Sequence, residues 1–385
     1  MRKLTLYVAI LFAFSIFLPS VAVKNTAFAS ELPLTSENCV LMEYETGKIL
    51  FEKDAQERGQ IASMTKIMVL NLIFDKLESG ELSLEDMVSV SERAMSMGGS
   101  QVFLDVKNQY KVSDLVKSII VASANDSSVA MAEHIFGSVE GCVAEMNKKA
   151  TALGMDNTNF VNVTGLPNDD AYSTAYDVAI MTRELISHEM YKDFSKIWMD
   201  KIPHGDDKYT EISNTNKLLR RYTGCDGGKT GFTNQAMHCI SATAEKNGMR
   251  LISTVMHGQT SKGRFDDAIA MFDYGFGAFE KKEIISCDNN LEITPSVANG
   301  VKDSVLVKPS ESFYAIVKKG GTADYILNTK IDENLKAPIN IGDKVGTLEV
   351  VSNGSVVKEI SIISAEDIEK ARIIDNLKNL FPNKK

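Results

Sequence analysis

The sequence predicts an α+β fold: an antiparallel sheet with flanking helices, followed by a small all-β domain. Three observations carry this. Lys246-Asn247-Gly248 stands between two β-rich runs, Met237 to Ala244 and Arg250 to His257, which is a strong hairpin signature. An apolar run with helical spacing passes through Ile67, Met68, Leu70, Leu72, Ile73, Phe74 and Leu77. From about Ile284 the composition changes to short β-runs, among them Ser304 to Val307, Phe313 to Val317, Lys344 to Val351 and, after Ser352-Asn353-Gly354, Ser355 to Ile363.

A chain of 385 residues can hold two domains, and 44% hydrophobic with 24% charged residues is ordinary globular material rather than disorder. The first 29 residues stand apart. Arg2 and Lys3 precede an uncharged apolar stretch from Leu4 to Val23, and Ala27-Phe28-Ala29 precedes Ser30. This reads as a secretory signal peptide cut after Ala29, the alternative being an uncleaved anchor. Removing it takes away three cations and no acid, so the formal charge goes from -9 to -12. Such a chain is not expected to bind nucleic acid. Cys39, Cys142, Cys225, Cys239 and Cys287 are odd in number and scattered, with no metal-ligand spacing. Buried free thiols are expected, a Cys225 to Cys239 bridge being the alternative; no metal and no cofactor are expected.

In chain order, Cys39 to Tyr44 and Lys48 to Phe51 flank Glu45-Thr46-Gly47 and predict a hairpin. Ile61-Ala62-Ser63-Met64-Thr65-Lys66 then leads into the apolar helix. One turn separates Ser63 from Lys66, so the amine reaches the hydroxyl. A lysine takes a serine proton only if a dry or cationic setting discharges it, a shift of roughly 3 units or about 4 kcal/mol. The spacing alone carries nothing. Ser355-Val356-Val357-Lys358 repeats it in a predicted strand, where the two side chains fall on opposite faces.

Val112-Ser113-Asp114 starts a helix with Leu115, Ile119 and Ile120 on its buried face. A second helix from about Ser127 to Phe136 leaves Ser123 and Asn125 on a tight connection, able to aim at one point. The plain alternative is a pair of helix caps, and Ser36-Glu37-Asn38 shows the spacing arising by chance. Asn157 to Asp177 is polar and predicts a long surface loop able to wall a cleft. Asp226-Gly227-Gly228-Lys229-Thr230-Gly231-Phe232-Thr233 is no phosphate loop, because three residues separate Gly224 from Gly228 and strands follow. It is placed on a strand of the same sheet, where glycines admit a ligand backbone and Lys229 and Thr230 present a cation and a hydroxyl. Arg264 opens the next apolar helix. Glu366 to Lys385 places Ile368, Ile373, Ile374, Leu377, Leu380 and Phe381 on one helical face, an amphipathic helix.

Ser63-x-x-Lys66, Ser123-x-Asn125 and Lys229-Thr230-Gly231, in that order, form a constellation far rarer than any member. With Asn162-x-x-Gly165-Leu166, Asn214-x-Asn216-x-Leu218-Leu219 and Lys262-Gly263-Arg264, the chain resembles the serine-type D-alanyl-D-alanine carboxypeptidases, the low-molecular-mass penicillin-binding proteins. The resemblance covers nearly the whole chain. It implies the penicillin-binding/β-lactamase-like fold with a helical subdomain over residues 30–283, the small all-β domain over 284–363 and an amphipathic helix over 364–385. It further implies removal of the terminal D-alanine from peptidoglycan stem peptides ending in D-Ala-D-Ala, and acylation by β-lactam antibiotics.

The resemblance assigns roles residue by residue. Ser63 would attack the carbonyl between the two D-alanines, Lys66 would take its proton and Ser123 would relay one to the leaving amine. Asn125 would hold the peptide amide, and Lys229, Thr230 and Arg264 the terminal carboxylate. Backbone N–H groups of Ser63 and Phe232, with Gly231 between Thr230 and Phe232, would bind the oxyanion. Which group serves as base in each half-reaction stays open. Met237 replaces a usual glycine, Tyr176 a usual arginine, and Val163-Thr164 a usual valine-histidine. A β-lactamase would need a glutamate in the cleft loop, and Asn157 to Asp177 has none. A non-catalytic peptidoglycan sensor would not need the intact Ser63, Lys66, Ser123 and Lys229. The C-terminal helix, ending in Phe381, Lys384 and Lys385, is expected to hold the exported enzyme peripherally on the outer face of the cytoplasmic membrane.

Overall fold

The computed structural model describes residues 32–372. The expected signal peptide, residues 1–29, and residues 373–385 of the expected terminal helix lie outside the described residues.

Two strands, β1 (Asn38–Glu43) and β2 (Ile49–Lys53), form the first hairpin, as the Glu45-Thr46-Gly47 turn predicts. A 3-10 turn over Ala62–Thr65 carries Ser63, and α1 (Lys66–Glu78) follows it, so the α-helix starts at the lysine rather than the serine. The i to i+3 reach survives, because residues three apart eclipse in a 3-10 turn. The ladder of β3 (Met87–Ser89) with β4 (Gln109–Lys111) encloses the short α2 (Glu92–Met95). Then come α3 (Val112–Val121), α4 (Asn125–Phe136) and α5 (Val139–Ala152), which build the helical subdomain. Ser138 caps α5 by accepting from the Gly141 amide.

The cleft loop leads to α6 (Ala175–Ser187), capped by Thr174, and to the short α7 (Tyr191–Ser195). A hairpin of β5 (Met199–Gly205) and β6 (Lys208–Ser213) comes next, a pair that the sequence did not announce. Its turn residues Asp206 and Asp207 have φ of 47° and 57°, the geometry of an Asn-Gly turn built without glycine. After the short α8 (Leu218–Arg221), β7 (Cys225–Thr233), β8 (Met237–Lys246) and β9 (Met249–Gly258) meander, and Thr260 caps α9 (Ser261–Ala278).

The main sheet is antiparallel with order β2-β1-β9-β8-β7. Alternate residues of β9 face opposite layers. Leu251 lies against Gly275 of α9, where an added Cβ would come within 2.5 Å of the leucine side chain. Thr254 shares a hydrogen bond with Ser241, which shares another with Thr182 of α6. Cys225 pairs with Ala244 and Cys239 with Gly231, about 17 Å apart along the ladder, so these thiols cannot bridge. All five cysteines are free, and burial pushes Cys39, Cys142, Cys225 and Cys239 up to about 12.

The β-rich C-terminal region opens with a strand that begins before residue 284. β10 (Phe279–Ile285) follows α9 without a turn and pairs with β12 (Phe313–Lys318), which is why no punctuation in the sequence marks the boundary. A four-stranded sheet, β11 (Val307–Pro309), β15 (Ser355–Ser364), β14 (Lys344–Ser352) and β13 (Ile326–Ile331), completes it. The helix expected from Glu366 does not begin there. Residues 366–372 are extended: Ile368 exchanges backbone hydrogen bonds with Ile339 and is buried in the β-domain core with Val305, Leu348 and Ile360. Burial of Ile368 in a hydrophobic core outweighs the helical periodicity of its segment, since most helical stability comes from packing rather than pattern.

Candidate active site

Ser63 stands on the 3-10 turn, held there by two glycines. Gly165 of the cleft loop, at φ +76°, lies so close that an added Cβ would fall 1.9 Å from the Ala62 carbonyl oxygen and 2.9 Å from the Ser63 nitrogen. Gly231 on β7 would place one 2.7 Å from the Ile61 oxygen. Only residues without side chains admit the Ser63 turn between loop and sheet. The hydroxyl stays half-exposed while Lys66, one turn on, is fully buried.

Lys66 Nζ donates to three oxygens: Ser63 Oγ at 3.1 Å, Asn125 Oδ1 at 2.6 Å and the Thr164 carbonyl at 2.7 Å. The amide of Asn125 is oriented by its own Nδ2, which donates to Gly98 O at 2.7 Å. A neutral amine has two hydrogens. With Asn125 and Thr164 taking both, its lone pair is left facing Ser63, the arrangement of a base. Burial lowers the Lys66 pKa well below its ordinary value; the Lys229 charge lowers it further and Asp126 opposes both.

Ser123 and Asn125 do not cap their helix. Ala124 is the N-cap of α4, Asn125 its first residue, and Ser123 sits on the connection at φ +63°. Lys229 reaches Ser123 from β7, donating to its Oγ at 2.7 Å and to Thr230 O at 2.9 Å. Burial, then the Arg264 charge, push the Lys229 ammonium down to about 7. Thr230 Oγ1 donates to Thr215 Oγ1 at 2.8 Å. Arg264 lies deeper than the sequence placed it: Nη1 donates to Gly231 O at 2.9 Å and Cys239 O at 3.2 Å, and its Nε is buried without a partner. It thus stands behind the strand that carries Thr230 and Phe232. Phe232 is exposed, stacked on His238 with ring centroids 4.4 Å apart.

The site residues named from sequence converge from the two sides of one cleft: Ser63 and Lys66 from the 3-10 turn and the start of α1, Ser123 and Asn125 from the helix connection, Lys229 to Phe232 from β7, with Arg264 of α9 behind that strand. The two decoys lie elsewhere. Lys358 pairs with Glu311 on the β domain, and Ser36 donates to Asp267. Sequence reasoning missed the Thr164, Gly98 and Ser100 carbonyls, which carry no side-chain signal. It also missed Thr215, whose flanking Asn214 and Asn216 fold the segment: Asn214 Oδ1 accepts from Asn216 N and Asn216 Nδ2 donates to Gly227 O.

A family model described as D-alanyl-D-alanine carboxypeptidase matches residues 25–260. The chain belongs to that family. A second model, the C-terminal domain of penicillin-binding protein 5, matches residues 279–370, starting at β10. The D-alanyl-D-alanine carboxypeptidase DacF of Bacillus subtilis is 40% identical over 94% of this chain and 93% of its own. DacC of Escherichia coli is 32% identical over 90% and 88%. Among solved structures, penicillin-binding protein 5 of Haemophilus influenzae superimposes with a TM-score of 0.71 at 31% identity, over 88% of this chain and 98% of that one. Penicillin-binding protein 3 of Streptococcus pneumoniae gives a TM-score of 0.76 at 26% identity over 87% and 100%. The α+β, penicillin-binding-protein fold expected of this family member is the one observed.

Proposed function

We propose that this carboxypeptidase removes the C-terminal D-alanine of peptidoglycan stem peptides through an acyl-enzyme on Ser63. The observation that carries the assignment is the Lys66 amine, whose two hydrogens are claimed by Asn125 and Thr164 while Ser63 Oγ stands 3.1 Å away. Lys66 takes the Ser63 proton as Oγ bonds to the carbonyl carbon of the penultimate D-alanine. The Ser63 and Phe232 amides receive the oxyanion. When the C–N bond breaks, the leaving amine takes the Ser123 hydroxyl proton and the proton that Lys66 took from Ser63 returns to Ser123, while Lys229 donates to the Ser123 oxygen and leaves its O–H free to donate. Water then splits the ester. Lys229 and Thr230 hold the terminal carboxylate, with Arg264 adding its charge from behind Gly231.

The reading extends to location. The apolar segment behind Arg2 and Lys3 exports the chain, and the residues after Arg372 hold it peripherally on the outer face of the cytoplasmic membrane, with the β domain as spacer. Incubating the purified protein with a muropeptide pentapeptide and weighing the product tests the reaction; loss of one alanine residue is expected, and an unchanged peptide refutes it. Penicillin should label Ser63 alone, and labelling undiminished in Ser63→Ala would refute the nucleophile. Arg264→Ala should impair the free-acid peptide more than its C-terminal amide, equal losses meaning that Arg264 only supports the strand.

A further inference from the structure

We infer that Asp126, outside the three motifs, is a positioning residue for the reaction: its buried carboxylate pins a strained loop against Asn125 and sets a negative charge opposite Lys66. An acid at the second position of a helix ordinarily faces solvent and the helix dipole. This one is fully buried, and most of its bonds leave its own helix. Its Oδ2 accepts from Val102 N at 3.0 Å and Leu104 N at 3.2 Å, while Oδ1 accepts from Ser127 N at 2.9 Å. Between those loop donors stands Phe103, 64% exposed and at φ +63°. A bulky residue in the left-handed region costs about 1–2 kcal/mol, so the turn persists because something holds both its ends.

The same loop returns to the site. Gly98 O accepts from Asn125 Nδ2 and Ser100 O from Asn125 N, both at 2.7 Å, and Asn125 Oδ1 in turn holds Lys66 Nζ. Asp126 therefore fixes the loop, the loop fixes Asn125, and Asn125 fixes the amine. The charges that act on Lys66 are Lys229 from β7 and Asp126 from α4, with opposite effects on its proton affinity; Arg264 acts on Lys229. An asparagine at 126 offers one acceptor oxygen to three donors, sets an amide hydrogen against an N–H, and removes the negative charge.

The inference rests on the proposal that Lys66 is the base, and the test separates the two. The rate of penicillin acylation of Ser63 is measured across pH for the native protein, Asp126→Asn, and Asp126→Asn with Phe103→Gly. Lys66 must be neutral to act, so the rate rises as pH passes through its pKa. Without the carboxylate the ammonium is less stable, and that acid limb moves to lower pH, while the plateau rate falls roughly 10-fold. Glycine relieves the turn, so the double variant regains thermal stability and keeps the displaced limb; it also serves if the single variant does not fold. A rate lowered equally at every pH, with the limb in place in both variants, overturns the inference. A Lys66→Met control that acylates at the native rate overturns the proposed base itself; with that control inactive, an unmoved limb sinks Asp126 alone.

Discussion

Lys229 Nζ and Ser123 Oγ meet across the cleft at 2.7 Å, joining the edge strand of the main sheet to the connection between two helices of the other subdomain. The pair sets a pH response. Lys229 holds a carboxylate only while protonated, and burial beside Arg264 brings it to about 7. We expect kcat/KM for a free-acid peptide to fall as pH rises through about 7, mostly in KM, and the fall to vanish in Lys229→Arg, whose guanidinium stays charged. A C-terminal amide substrate showing the same alkaline fall would sink this assignment.

Gly165 and Gly137 make a matched pair of probes. Both have φ +76°, but an added Cβ at Gly137 meets nothing within 4 Å, whereas at Gly165 it collides with Ala62 O. Alanine at either site carries the same backbone strain, about 1 kcal/mol or somewhat more. Gly165→Ala should in addition displace the Ser63 turn and slow penicillin acylation by roughly 100-fold. Gly137→Ala should leave acylation unchanged. Equal rates in the two variants would mean that the close approach does not set Ser63.

Met237 occupies φ +54° at the start of β8, half-buried. Met237→Gly should raise unfolding free energy by about 0.5–1 kcal/mol, since the left-handed penalty exceeds the extra entropy that a glycine loses. Chemical denaturation checks it; a lower midpoint would show that the methionine side chain packs better than its backbone suffers.

The proposed membrane attachment now has a sharper boundary. Val301 N donates to Glu369 O and Ala371 N to Asn299 O, so the chain belongs to the β domain through residue 371. Deleting residues 373–385 should move the exported enzyme to the soluble fraction with peptide hydrolysis intact. Deleting 366–385 should also lower the melting temperature, because it strips Ile368 from the core. A protein that stays with the membrane after the shorter deletion, its signal segment removed, would place the anchor elsewhere.

The residues proposed to attack, to relay a proton and to hold the carboxylate were legible in the sequence because each is a side chain with its own chemistry at a fixed local spacing. The hairpin at Asn247-Gly248 was legible for the same reason: its turn residues, at φ 52° and 71°, encode it within two positions. Asp206-Asp207 makes a similar turn and was passed over, since neither of its two central residues is a glycine. Tertiary structure alone decided that Thr164, Gly98 and Ser100 lend carbonyls to the site, that Asp126 grips a loop more than 20 residues upstream, and that Arg264 stands behind the strand. It also decided that Ile368 joins a β core instead of a helical face. Backbone carbonyls are present at every residue and so leave no pattern to read, and a buried side chain's partner is chosen by packing between segments far apart in the chain, whereas periodicity records only which residues seek burial.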